Sequence, residues 1–93
     1  MKQSTWSTLQ WASSIALSGS NGARQKLTLA GNTTLTAPVL SSTYTELTLQ
    51  ISKSTSYSFT VDNVTVTAFE TTLLSWYWDG SQTRRLPNIY LGD

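Results

Sequence analysis

The chain has no cysteine and no histidine among its 93 residues. No disulfide can brace it, no thiolate or imidazole can hold zinc, and serine–histidine or cysteine nucleophilic catalysis is excluded. Only 12% of residues are charged, about half the usual share, and the formal net charge is +1. No broad basic field therefore points to nucleic acid or to an anionic membrane. Long apolar runs are missing too, so no segment predicts a membrane-spanning helix. The N-terminus Met-Lys-Gln-Ser-Thr-Trp-Ser-Thr has no apolar stretch of the kind a secretion signal needs. There is no glycine-rich phosphate loop and no aspartate-rich calcium loop. Nothing predicts a metal or a cofactor.

In place of these stand 16 Thr and 14 Ser, about a third of the chain. A small core without disulfides gains stability from tight β patterning or from burial against other chains. A threonine-rich surface with little charge suits a subunit whose strands lie against neighbours.

The patterning is of period two throughout, which places alternate side chains on opposite faces of a sheet. Ile15–Ser18 predicts a short strand, and Gly19–Gly22 a turn. Arg24–Ala30 alternates with Leu27 and Leu29 on one face. Gly31-Asn32 is expected to turn a β-hairpin into Thr33–Thr36, with Leu35 inward. Pro38 ends that strand, because proline cannot donate to a ladder. Thr43–Ser52 is the cleanest strand, with Leu47, Leu49 and Ile51 inward and Glu46, Thr48 and Gln50 outward. Tyr57, Phe59 and Val61 alternate next. Asp62-Asn63 forms a tight turn, since both residues tolerate the left-handed region, and Val64, Val66 and Ala68 follow on one face. Thr71–Trp78 carries Thr72, Leu74, Trp76 and Trp78 on one face. Its other face holds Leu73, Ser75 and Tyr77, so both faces are expected to be covered. Asp79-Gly80 predicts a type I′ hairpin, and Pro87 stops the returning strand.

Seven or eight short strands at this spacing predict an all-β fold: a small antiparallel β-sandwich or jelly-roll-like barrel. Residues 14–93 form that domain, and residues 1–13 an N-terminal arm or loose first strand.

Candidate functional residues are few. Trp76-Tyr77-Trp78 is the most conspicuous cluster. One reading is core plus subunit interface; the other is a platform for sugar rings, with Tyr90 beside it. Trp6 and Trp11 carry the same two readings. Arg84 and Arg85 are read as solvated hairpin charges, one of them paired with Asp79 or Glu70, or as contacts to an acidic partner surface or phosphate. Of the acids Glu46, Glu70, Asp62, Asp79 and Asp93, two could serve a glycan hydrolase only if their carboxyls lay about 5–9.5 Å apart. Asp62 and Asp79 are the residues expected in turns.

The segment Leu27-Thr-Leu-Ala-Gly-Asn-Thr-Thr-Leu-Thr-Ala-Pro38 resembles a β-module of tailed-bacteriophage tail fibres and related virion appendages. The order of elements is similar over residues 24–81: a Gly-Asn-Thr-Thr-Leu hairpin, a long alternating strand, a Tyr-Ser-Phe-Thr-Val strand and an aromatic closing hairpin. The chain departs from that pattern in its short length, its tryptophan-bearing arm and the absence of a shaft. The resemblance implies a non-enzymatic virion protein. The leading expectation is a homotrimeric capsid decoration (cement) subunit, made in the host cytoplasm, that contacts the major capsid or tail proteins. The alternative is a head-fibre or tail-fibre module that binds host surface glycan. Trp6, Trp11, Trp76, Tyr77, Trp78, Arg84, Arg85 and Tyr90 are the expected contact residues under either.

Overall fold

The computed structural model describes residues 6–54 and 56–92; residues 1–5 of the expected arm, Thr55 and Asp93 lie outside them. Ten strands follow in chain order: β1 (Ser7–Leu9), β2 (Ser14–Ala16), β3 (Arg24–Leu27), β4 (Thr33–Thr36), β5 (Glu46–Ile51), β6 (Ser58–Val61), β7 (Val64–Thr67), β8 (Thr72–Trp78), β9 (Thr83–Arg85) and β10 (Ile89–Tyr90). They make two sheets. One has the order β1-β3-β5-β8, with β9 and β10 both on the far edge of β8; the other has the order β2-β4-β6-β7. The expected all-β sandwich is therefore the architecture. No helix among the described residues is long and apolar enough to cross a membrane.

The strand directions differ from the expectation. Half of the pairs are antiparallel (β5–β8, β6–β7, β8–β9, β8–β10), but β1–β3, β3–β5, β2–β4 and β4–β6 are parallel. The chain alternates between sheets: β1 then β2, β3 then β4, β5 then β6. Each pair is one coil stacked on the last, so the first half of the molecule is a short two-sided solenoid. At Asp62-Asn63 the winding stops. Both residues adopt positive φ, 53° and 65°, as a type I′ turn requires, and β7 and β8 run back along the third coil.

Gly31-Asn32 accordingly makes no hairpin. It lies in an arch that carries the chain from one sheet to the other, and its chemistry stacks successive arches. Trp11 Nε1 in the first arch donates to Gly31 O at 3.1 Å. The backbone N–H of Ser58, at the end of the third arch, donates to Asn32 Oδ1 at 2.9 Å. Thr33 Oγ1 donates back to Ala12 O at 2.6 Å. Glycine is needed because a Cβ at position 31 would stand 2.9 Å from Trp11 Cζ2. Gly31→Ala is expected to cost about 1–3 kcal/mol by overpacking, read by urea denaturation. In a Trp11→Leu background the same change should cost much less, since the clashing ring is gone.

The core fills the space between the sheets. Leu27, Leu47, Leu49, Ile51, Phe59, Val61 and Leu74 are buried, and Leu35, Leu40 and Trp76 join them. Their two-residue spacing is the one anticipated for β5, β6 and β8. Leu40 closes one end of the core, where its N–H donates to Thr83 Oγ1 at 2.8 Å. The outer face of β8 is less covered than expected: Leu73 and Ser75 are half-buried and Tyr77 is exposed.

Candidate assembly surfaces

The strand alternation sorts the predicted contact residues onto different surfaces. Trp76 and Trp78 face the core, and Trp76 is only 3% exposed. Tyr77, between them, points outward, in register with Glu46 on β5 and Arg84 on β9. The three neighbouring aromatics therefore cannot form one sugar platform, because period two sends them to opposite faces. Trp76 is a core residue. Trp11 is spent on the arch stack. Trp6 lies on the outer face beside β3, with Arg24 and Lys26 at 5.7 and 5.8 Å from its ring centroid, both within cation–π range. Strands β3 and β5 lie between β1, which it precedes, and β8, which carries Tyr77.

The hairpin carrying Arg84 and Arg85 turns one residue later than expected. Asp79 N–H bonds to Gln82 O at 3.1 Å, which leaves Gly80-Ser81 as the central pair. Gly80 has φ 100°, in the region that favours glycine. This frees Asp79 to accept from the N–H groups of Ser81 and Gln82, both at 2.8 Å, and from Arg84 Nε at 2.7 Å. The Arg84 hydrogen bond and those two amides hold the Asp79 carboxyl at about 2, against an ordinary 3.8. The same contact raises Arg84. A depressed carboxyl stabilises the fold above its unfolded value. The Asp79 contribution should therefore be intact above pH 4 and fade as pH falls from about 4 to about 2. A carbon-detected NMR titration of the Asp79 carboxyl checks this, as does loss of the Gly80 turn in Asp79→Ala.

Arg85 is the opposite case. It sits on the inner face of β9, in register with Trp76. Its guanidinium lies 5.5 Å from the centroid of the Trp76 ring. Nη1 donates to Asp62 Oδ2 at 2.6 Å, and Nη2 donates to Asn88 Oδ1. Asn88 Nδ2 in turn donates to Tyr90 OH at 3.2 Å. One arginine thus ties the edge of the first sheet to the β6–β7 turn of the second. Its sequence-level pairing with Asp79 or Glu70 falls to Arg84 and Asp79; the Asp62 partner lies 23 residues away and carries no local signal.

Beside this latch the sandwich is open. The first sheet is one strand wider than the second, because β9 and β10 extend past β7. Together they act as one strand interrupted at Pro87. Trp76 faces Arg85 and Leu73 faces Ile89, so the edge strand carries one residue more than β8. That extra residue is a β-bulge, a position that accepts proline. The notch beneath is a groove of about 410 Å³ lined by Val61, Val64, Val66, Arg85, Leu86 and Pro87, with Asn88 at its edge. Val64 points inward yet is 57% exposed, and Leu86, Ile89 and Tyr90 are each about half exposed.

Gln25 is a buried polar residue that the sequence reading passed over. It shares the parity of Leu27, so alternation alone places it inside. Its Nε2 donates to Ser18 O at 2.9 Å and Gly22 O at 2.8 Å, holding the turn between β2 and β3. Gln25 Oε1 and Arg85 Nε are the buried side-chain polar atoms without a partner among the described residues. No group of three acidic, histidine or cysteine residues that could hold a metal occurs among them. Compared with known proteins, the chain matches no family model, no curated protein and no solved structure.

Proposed function

We propose that the chain is a non-catalytic structural subunit of a bacteriophage particle, a decoration-type protein that works by assembling with copies of itself and with other particle proteins. The carrying observation is the state of its sheet edges. Monomeric β-proteins guard their edges with very short strands, lysine, proline or bulges. Here β7 (Val-Thr-Val-Thr) ends the second sheet without a charge or a proline, and β1 (Ser-Thr-Leu) and β2 (Ser-Ile-Ala) are guarded by their three-residue length alone. The β9–β10 edge carries Arg84, Arg85, Pro87 and a bulge, but both arginines are paired with aspartates of the same chain. Such edges are templates for pairing, and a low-charge threonine surface allows close approach of a neighbouring chain. The virion setting rests on the likeness of residues 27–38 to appendage modules. Sedimentation equilibrium of the purified chain tests the assembly, and a stable monomer at millimolar concentration would overturn it. Proteomic analysis of purified particles of the source phage tests the setting; absence of the chain from those particles would refute it.

A further inference from the structure

We infer that the notch beside β7 is a self-complementary joint, in which a second copy of this chain seats its own β9–β10 strand. The inference rests on the assembly reading above and assigns it a partner, a surface and a symmetry.

The argument is geometric. On this side the first sheet overhangs the second by one strand. Two copies can meet here across a two-fold axis in two side-by-side ways. With the axis normal to the sheets, seating a strand against β7 drives the two overhanging strands into each other. Letting the overhangs merely touch leaves a gap two strands wide in the second layer. With the axis along the strands, midway between the sheets, the layers exchange. The overhang of each copy then fills the notch of the other, and its β9–β10 lies parallel to the partner's β7.

The groups present fit that arrangement. Val61–Val64 and Phe59–Val66 are register pairs, and Ala68 N–H bonds to Tyr57 O. Antiparallel alternation therefore turns the N–H groups of Thr65 and Thr67 away from β6, toward the notch. The floor is apolar, from Val64, Val66, Leu86 and Pro87. The charges on this side are matched inside one chain, Arg84 with Asp79 and Arg85 with Asp62, so a second copy meets no repulsion. β7 is four residues long, about 13 Å, so a step one strand deep and one sheet high on each side presents on the order of 350 Å² per copy. Two such faces total about 700 Å², the size of a weak, reversible joint.

The symmetry this joint calls for is two-fold, where the resemblance to virion proteins implies a trimer. The test uses the whole chain and two variants. Val64→Lys places a charge on the notch floor at a position already half in solvent. Thr65→Pro removes an outward N–H that takes no part in the β6–β7 ladder. Native mass spectrometry and sedimentation should find the wild-type chain as a dimer, or an even multiple of it. Each variant should shift to half that mass with its β circular dichroism kept. If Thr65→Pro fails to fold, Val64→Lys decides. A trimer or other odd ring, or a dimer that folded variants leave intact, overturns the joint while the assembly reading stands. A wild-type monomer at millimolar concentration overturns both.

Discussion

Phe59→Ala is expected to leave the chain largely unfolded at room temperature. The side chain is fully buried at the centre of β6, beside Thr33 on β4 and Val66 on β7. Removing a buried phenylalanine costs about 3–5 kcal/mol, from lost transfer energy and the cavity left behind. A chain of this length has roughly 5–14 kcal/mol in total at 0.05–0.15 kcal/mol per residue. With no disulfide the lower end of that range applies, so the change takes most of what is there. Thermal and urea melts followed by circular dichroism measure it. A loss under about 1 kcal/mol would mean that the sheets close over the gap, and that the core is looser than its burial indicates.

Gln25→Glu is the second large effect, and it depends on pH. At neutral pH the substitution sets a carboxylate against the carbonyls of Ser18 and Gly22, the acceptors that the Gln25 amide now serves. Two hydrogen bonds are lost and a buried charge has no counter-ion. The expected cost is about 3–5 kcal/mol, the range for an uncompensated buried charge. Burial and the two carbonyls raise the carboxyl in the folded state, while the unfolded chain titrates near 4.3. The variant should therefore be nearest to wild type below pH 4 and lose stability as pH rises from there toward the raised folded value. Melting curves from pH 3 to 8 give the profile, and a flat one would place position 25 in contact with water. Gln25→Leu should also destabilise, but without pH dependence, because it orphans the carbonyls and adds no charge.

What could be read from the residues alone was whatever depends on period two. The inward sets Leu47, Leu49, Ile51 and Phe59, Val61 follow directly from alternation, as does the positive-φ turn at Asp62-Asn63. Alternation says which face a residue takes, but not which strand lies beside it. That is why Gly31-Asn32 reads as a hairpin and folds as an arch. The two structures share a glycine, a polar corner and flanking alternating strands, and differ only in whether the second strand pairs with the first or crosses to the other sheet. The coils also hide as a repeat. Stacked residues are 18 apart between β1 and β3 (Ser7 with Gln25) but 24 apart between β3 and β5 (Arg24 with Thr48), so no fixed period exists to detect. The Arg85 latch was equally out of reach, because Asp62 and Asn88 meet it through the edge of the sandwich and not through local spacing. Alternation also divides the aromatic trio: three consecutive strand residues never share a face, so Tyr77 parts from Trp76 and Trp78.

The reversal at Asp62-Asn63 also sets an order of events as the chain folds. The β6–β7 and β8–β9 ribbons close over two to four residues, while each parallel coil must first close a loop of about 18–26 residues at greater entropic cost. The C-terminal ribbons are therefore expected to form first, with the earlier coils adding to them, an order that pulsed hydrogen exchange during refolding would check. During synthesis the direction is inverted. The N-terminal half emerges before the surface that organises it, and stays without a template until β5 to β8 have been made.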